Sequence, residues 1–241
     1  MKEILHLTPE QIVKIIRSLP FFAAFDPDEQ IRFVGDETRL FCYHNGEFLI
    51  QEGEEDHALF FLLVGAASVV KEGTVIPLAM LGPGDMFGEV GFLMPRRRTT
   101  NVIVHPPAMP PPETATHPED LTPSIFHALL AESDPTATAV AIRFRRSILQ
   151  KLERQTRITL KNQIIQCLME RVENMNERLT HLTGYPPQLP IDQELERALR
   201  QEKKPSPATL EQTKERIISQ LVAFVEELNR QMVAMPASLR S

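Results

Sequence analysis

Short apolar runs separated by turn signals fill residues 38–104, and no other feature of the sequence restricts the fold as strongly. The runs are LFCY, FLI, ALFFLLV, ASVV, IPLAML and NVIV. Between them lie Asn45-Gly46, Gly53, Gly65, Glu72-Gly73 and Gly82-Pro83-Gly84-Asp85. Short runs ended by glycine, proline and asparagine are typical of strands joined by tight turns. The pattern predicts an antiparallel β-sandwich or roll.

Helix signals precede these strands, and a proline-rich stretch follows them. Thr8-Pro9-Glu10 and Asp26-Pro27-Asp28 each place an N-cap residue before a proline, which predicts two N-terminal helices. Prolines then crowd residues 105–123, where large apolar side chains are nearly absent. Such a composition indicates a loop or semi-rigid linker.

The C-terminal part has helical patterning. Ser133-Asp134-Pro135 is a helix start, and no breaker follows before Gly184, so we expect one long helix over residues 134–183. Apolar residues in its second half recur at spacings of three and four, as in a coiled-coil seam. They are Ile165, Leu168, Val172, Met175, Leu179 and Leu182. The seam predicts a homodimer, with an intramolecular bundle face as the alternative, and a terminal amphipathic helix is expected over 207–232.

These elements define an α+β chain with two parts. Residues 1–125 are expected to form an antiparallel, jelly-roll-like β-roll with N-terminal helices and the proline-rich loop 105–123. Residues 134–241 are expected to form a helical region.

Composition excludes several classes of function. The net charge of −6 argues against a general nucleic-acid binder. Two cysteines and scattered histidines predict no metal site, and no nucleophile–base pairing or Walker-type loop indicates an enzyme. No apolar stretch approaches the roughly 20 residues of a membrane span, and no signal peptide is evident. We therefore expect a soluble, cytoplasmic protein that is not an enzyme.

Residues 84–102 carry the chemistry. They run Gly-Asp-Met-Phe-Gly-Glu-Val-Gly-Phe-Leu-Met-Pro-Arg-Arg-Arg-Thr-Thr-Asn-Val. Gly88 lets a ligand approach the backbone closely, and the amides that open a helix favour an anion. An arginine of the following run can pair with phosphate oxygens through two N–H groups, and a nearby carboxylate can accept from sugar hydroxyls. The parts suit a phosphate joined to a ribose.

This segment resembles the phosphate-binding cassette of the cyclic-nucleotide-binding domain family. That family includes catabolite-activator-type regulators, protein kinase A regulatory subunits and cyclic-nucleotide-gated channels. Its pattern of Phe-Gly-Glu followed by an arginine nine residues after the glutamate is kept by Glu89 and Arg98. Gly53-Glu54 and Gly65 fit the family's upstream pattern, and the likeness covers about residues 18–104. The two strands that close the roll in the family have no evident match beyond Val104.

The resemblance implies a role for each part of the cassette. Glu89 would bind the ribose 2′-hydroxyl, and Arg98 would bind the cyclic phosphate with help from the Gly88 backbone and the Thr99 hydroxyl. Arg97 stands where the family has proline, so a shifted register would make Arg97 the phosphate partner instead. The candidate ligand-binding residues are Phe87, Gly88, Glu89, Val90, Arg97, Arg98, Thr99 and Thr100. The ligand would be cAMP or cGMP, and no further cofactor is implied.

Three functions follow from the resemblance. The first is a cyclic-nucleotide sensor that signals through its C-terminal helices to a protein partner. The second is a catabolite-activator-type transcription regulator, but residues 184–241 offer no turn glycine between two helices and no basic recognition helix, so no DNA binding is expected. The third is a scaffold with a vestigial nucleotide pocket.

Overall fold

The computed structural model describes residues 1–5, 7–72, 77–105 and 134–183, together with positions 219 and 223. For residues 172–183 it describes the backbone alone. The chain divides into two compact units, Met1–Gln163 and Ile164–Ser241. Most of the proline-rich segment and most of the expected terminal helix 207–232 lie outside the described residues. The two described positions of that helix, Ser219 and Ala223, are helical.

The N-terminal helices form where the sequence predicts them. Strand β1 (Lys2–Glu3) precedes helix α1 (Pro9–Ser18), a 3-10 helix (Pro20–Ala24) and helix α2 (Pro27–Ile31). The Thr8 hydroxyl accepts a hydrogen bond from the Gln11 backbone N–H at 3.3 Å, and the Gln11 side chain accepts from Thr8 N–H at 2.8 Å. This reciprocal cap satisfies two donors that a helix start leaves without intrahelical partners.

Nine strands build two antiparallel sheets among the described residues. After β1 they are β2 (Thr38–Tyr43), β3 (Phe48–Ile50), β4 (Leu59–Val64), β5 (Ala66–Val70), β6 (Ala79–Leu81), β7 (Met86–Phe87), β8 (Asn101–His105) and β9 (Ala139–Phe144), with helix α3 (Glu89–Leu93) between β7 and β8. The first sheet has the order β1-β2-β9-β4-β7 and the second β3-β8-β5-β6. The α+β antiparallel β-roll predicted from the sequence is confirmed.

Strand β9 corrects the expected long helix. Residues 139–144 pair with β2 on one side and β4 on the other, so they occupy the middle of the first sheet. Helix α4 (Ile148–Lys151) follows, and the long helix α5 begins only at Arg154 and runs to Thr183. A helix from residue 134 was therefore wrong, and the β-roll includes residues beyond 125. Ala139 to Ile142 are all 0% exposed, so the strand lacks the alternation that would separate it from a buried helix.

Aromatic packing joins the N-terminal helices to the first sheet. The Phe22 ring lies 5.4 Å from the Phe61 ring and 5.6 Å from the Phe144 ring, centroid to centroid. Phe33 packs edge-on against Phe22 at 5.0 Å. Aromatic pairs at such distances add stability beyond their buried area, so these helices are held firmly against β4 and β9.

The described ranges contain neither a membrane-spanning candidate nor a metal-binding cluster. None of their helices combines the length and the apolar content that a bilayer crossing requires. Nowhere in the same ranges do three or more His, Cys, Asp or Glu side chains lie together in a way that could hold a metal ion.

Candidate ligand-binding site

Gly88 joins β7 to α3 in a conformation that few other residues adopt. Its φ is 80°, in the left-handed region, and it forms the N-cap of α3. A Cβ at this position would lie 2.9 Å from the Ala58 carbonyl oxygen and 3.0 Å from Arg98 Nη1. Glycine is therefore required both by the backbone angle and by the close approach of Ala58, just before β4, and of Arg98.

The guanidinium of Arg98 is buried under this turn. The residue is 5% exposed. Its Nη1 donates to the Gly88 carbonyl oxygen at 2.9 Å, and its Nη2 donates to the Ala58 carbonyl oxygen at 2.7 Å. A Cβ on Gly91 would lie 2.9 Å from Nη1, so the absence of a side chain there also makes room for the guanidinium. Burial lowers the pKa of Arg98 from its ordinary value.

Glu89 opens α3 and is buried beside the same arginine. It is 6% exposed, and its negative charge acts to raise the pKa of Arg98 against the opposing effect of burial. Phe87, just before the turn, is 2% exposed, and its ring stacks on the Phe60 ring with centroids 5.2 Å apart. The fold thus brings together the glycine, the carboxylate and the guanidinium that the sequence singled out.

The two candidate arginines have different surroundings. The Arg97 side chain is 69% exposed and pairs with Glu55, Nη2 to Oε1, at 2.6 Å. Its Nη1 also donates to the Gly53 carbonyl oxygen at 2.9 Å. Exposed pairs of this kind contribute little stability. Arg97 therefore lies at the surface beside the turn after β3, whereas Arg98 lies beneath α3.

The remaining predicted residues surround this centre. Val90 in α3 is half-buried, and so are Thr99 and Thr100 in the segment that leads into β8. The Thr99 carbonyl oxygen accepts a hydrogen bond from Lys71 Nζ at 2.8 Å. This contact anchors the end of the cassette to β5 through the residue that follows the strand.

Two charged residues of the site escaped the sequence-based prediction. Asp56 Oδ2 accepts from Arg98 Nη2 at 3.1 Å, and Asp56 Oδ1 accepts from Arg143 Nη2 at 3.0 Å. Burial acts to raise the pKa of Asp56, but the charges of Arg143 and Arg98 outweigh it and hold that pKa below its ordinary value. Arg143 lies on β9, where an arginine inside the apolar run AVAIRF was the available signal.

The arrangement is suited to an anionic ligand that also carries hydroxyls. A guanidinium offers N–H groups in a fixed plane that matches phosphate oxygens, while an ionised carboxylate accepts from hydroxyl groups. Gly88, without a side chain, lets the Arg98 guanidinium and the Ala58 carbonyl oxygen approach the turn that Glu89 follows.

Comparisons with known proteins agree with this chemistry. Residues 40–107 match the family model described as cyclic nucleotide-binding domain. A cAMP-dependent protein kinase regulatory subunit of Debaryomyces hansenii is 36% identical over 72 residues, which are 29% of this chain and 16% of the relative. A potassium/sodium hyperpolarization-activated cyclic nucleotide-gated channel 4 of Oryctolagus cuniculus is 30% identical over 89 residues, 37% of this chain and 7% of the channel.

One solved structure supports the fold independently. A crystal structure of a cyclic nucleotide-binding domain from Methylobacillus flagellatus KT superposes with a TM-score of 0.50 at 16% identity, covering 73% of this chain and 84% of that one. The match spans only a small part of the two curated relatives, so their activities as whole proteins are not carried over. The matched segment, residues 40–107, lies within the β-roll, so this part of the chain is similar to the cyclic nucleotide-binding domain family in both sequence and fold.

Proposed function

We propose that this chain is a regulatory module without enzymatic activity that binds cAMP or cGMP in the cassette between β7 and β8. One observation carries the proposal: the buried Arg98 guanidinium lies against Gly88, with Glu89 buried beside it. A guanidinium held by hydrogen bonds beside a backbone turn can pair with phosphate oxygens, and the carboxylate supplies an acceptor for the ribose.

The proposal assigns the phosphate to Arg98 rather than to Arg97. Arg98 is 5% exposed, so its charge is only weakly screened, and a ligand contact there is worth more than one at the surface. Arg97 is exposed and already paired with Glu55. Glu89 then binds the ribose 2′-hydroxyl, and Thr99 and Thr100 line the pocket beside the phosphate.

Calorimetric titration of the full chain with cAMP and with cGMP tests the proposal. We expect binding by the wild type, and we expect Arg98→Ala to lose roughly 2–5 kcal/mol of binding free energy. Arg97→Ala is the matched control, because it removes the same charge from the adjacent position and should leave the affinity nearly unchanged. Arg98→Lys keeps the charge but not the planar fork, so it should bind more weakly than the wild type and more tightly than Arg98→Ala.

Three outcomes would contradict this assignment. No binding of either nucleotide by the wild type would favour the vestigial pocket. A normal Arg98→Ala together with an inactive Arg97→Ala would show that the register is shifted by one residue. Equal losses in both variants would indicate a general effect of charge. Thermal unfolding of each variant separates lost binding from lost folding.

We further propose that nucleotide binding is reported through the helices after β9 to a protein partner. One contact supports this: Arg146 Nε donates to the Phe92 carbonyl oxygen in α3 at 2.8 Å, so a hydrogen bond connects the cassette helix to the chain after β9. A ligand can shift such an element only by its differential affinity for two arrangements, typically about 1–3 kcal/mol.

Hydrogen exchange tests this output. Protection in residues 146–160 should change when the nucleotide is added, and the change should be smaller in Arg146→Met, which cannot donate to Phe92. Arg145→Met is the control, since Arg145 is an exposed neighbour. Binding with unchanged protection in this range would leave the pocket functional and the output mechanism wrong.

A further inference from the structure

Two arginines from distant parts of the chain share one carboxylate in the site. Asp56 gives one oxygen to Arg98 and the other to Arg143, at 3.1 Å and 3.0 Å. Both guanidinium carbons also lie 5.9 Å from the centroid of the Phe60 ring. Arg98 precedes β8 and Arg143 belongs to β9, so the shared carboxylate connects the cassette to the central strand of the first sheet.

The Nε–Nη2 edge of Arg98 shows which contact a ligand must displace. Nε and Nη2 form one edge of a guanidinium, and a phosphate bound in a fork takes both N–H groups of an edge. Arg98 Nε is buried without a hydrogen-bond partner in the described part of the chain, while Nη2 is bonded to Asp56 and to the Ala58 carbonyl oxygen. Asp56 therefore competes with an anion for this edge.

Arg143 affects the free-energy cost of breaking the contact between Asp56 and Arg98. A partly buried carboxylate that lost its only cation would carry an uncompensated charge, which is strongly unfavourable. Arg143 holds the other oxygen of Asp56, so the carboxylate keeps a cation when Arg98 turns to a ligand. The Arg143 side chain is 25% exposed and that of Asp56 is 29% exposed, so water screens the pair only in part.

We infer that Arg143 is a positioning residue for the anionic ligand: it holds Asp56 and thereby leaves the Nε–Nη2 edge of Arg98 available to the phosphate. The inference rests on the proposed cyclic-nucleotide binding and deepens it. In this arrangement Arg143 acts through Asp56. Arg143 Nε is also buried without a hydrogen-bond partner among the described residues, so the Asp56→Asn background separates an action through Asp56 from a direct contact with the phosphate.

A double-mutant cycle on the full chain, titrated with cAMP and with cGMP, tests the inference. Arg143→Met removes the charge while keeping an unbranched side chain of similar reach, and we expect a loss of affinity of about tenfold, within the range of coupled charged neighbours. In an Asp56→Asn background, where the competing charge is gone, the same substitution should change the affinity by less than about twofold. Arg143→Lys restores a cation near Asp56 and should recover most of the lost affinity. Arg145→Met is the control for a charge removed from the same segment, and it should bind like the wild type.

Each alternative outcome contradicts a stated part of the role proposed for Arg143. Wild-type binding with an unaffected Arg143→Met overturns this inference alone, whereas no binding by the wild type overturns the proposed function and the inference with it. An equal loss from Arg143→Met in both backgrounds shows that Arg143 acts independently of Asp56. Loss of binding by Asp56→Asn itself shows that Asp56 is required and does not compete. If Arg143→Met fails to fold in thermal unfolding, Arg143→Gln takes its place in the cycle.

Discussion

Replacing Gly88 by alanine tests whether the cassette turn depends on glycine for its backbone angle alone or also for its close contacts. An L-residue at a φ of 80° is strained by roughly 1–2 kcal/mol. The added methyl group would also lie 2.9 Å from the Ala58 carbonyl oxygen, a backbone atom of the segment leading into β4 that cannot easily move. Overpacking of this kind costs about 1–3 kcal/mol.

The lower entropy of the unfolded alanine chain offsets about 0.4–1 kcal/mol of these penalties. The net loss in free energy of unfolding for Gly88→Ala is then about 1–4.5 kcal/mol. Gly46→Ala is the matched control, because Gly46 has nearly the same φ, 81°, but no atom within 4 Å of an added Cβ. That control should lose only about 0–1.5 kcal/mol.

Urea denaturation followed by far-ultraviolet circular dichroism measures both losses, since the chain has no tryptophan for a fluorescence assay. The difference between the two variants isolates the crowding against β4 and Arg98 from the backbone strain that both share. Equal losses in Gly88→Ala and Gly46→Ala would refute the close-contact explanation. A third variant, Gly35→Ala, has neither a left-handed φ nor a close neighbour and should be nearly neutral.

Three further predictions concern pH, assembly and nucleic acid. The folded-state pKa of Asp56 is lowered, so the stabilisation by its carboxylate is present at neutral pH and is lost as the pH falls through that pKa. The difference in free energy of unfolding between wild type and Asp56→Asn should therefore shrink from pH 7 towards about pH 3. A difference that stays constant with pH would contradict this. Light scattering should give a dimer mass for the wild type and a monomer mass for Val172→Glu. Leu168 is unsuitable for that test because it is 1% exposed in the single chain. A wild-type monomer would show that the seam packs within the chain. Duplex DNA should not bind with submicromolar, sequence-selective affinity at physiological salt in a mobility-shift assay, with or without nucleotide, and such binding would revive the transcription-regulator hypothesis.

The position of β9 shows how a large separation in sequence affects a prediction. Strand β9, the centre of the first sheet, lies after residues 106–133. Nothing in residues 101–105 indicates that another strand of the roll follows so much later in the sequence. Its own residues form a continuous apolar run with one arginine, a pattern that a buried helix shares. Only pairing with β2 and β4 decides between the two, because each supplies the hydrogen-bond partners that the strand needs.

Local signals were sufficient for much of the rest. The glycine and proline turns between short apolar runs predict the antiparallel strands, because these residues act on the backbone within a few positions. The caps at Thr8 and Asp26 predict helix starts for the same reason. The resemblance of residues 84–102 to the family's phosphate-binding cassette likewise predicts that Gly88, Glu89 and Arg98 belong to one site.

The tertiary structure decided what lies around that cassette. Asp56 and Arg143 are 87 residues apart and meet only because β9 inserts beside β4, so neither could be assigned to the site from its local sequence. The orientation of the two adjacent arginines was also open in the sequence, since Arg97 and Arg98 have the same chemistry. Burial separates them: the fold puts one guanidinium beneath α3 among backbone carbonyls and the other in water beside Glu55. Sequence determines local geometry through short-range sterics and hydrogen bonding, whereas the charge environment of a site depends on which distant segments the fold brings into contact.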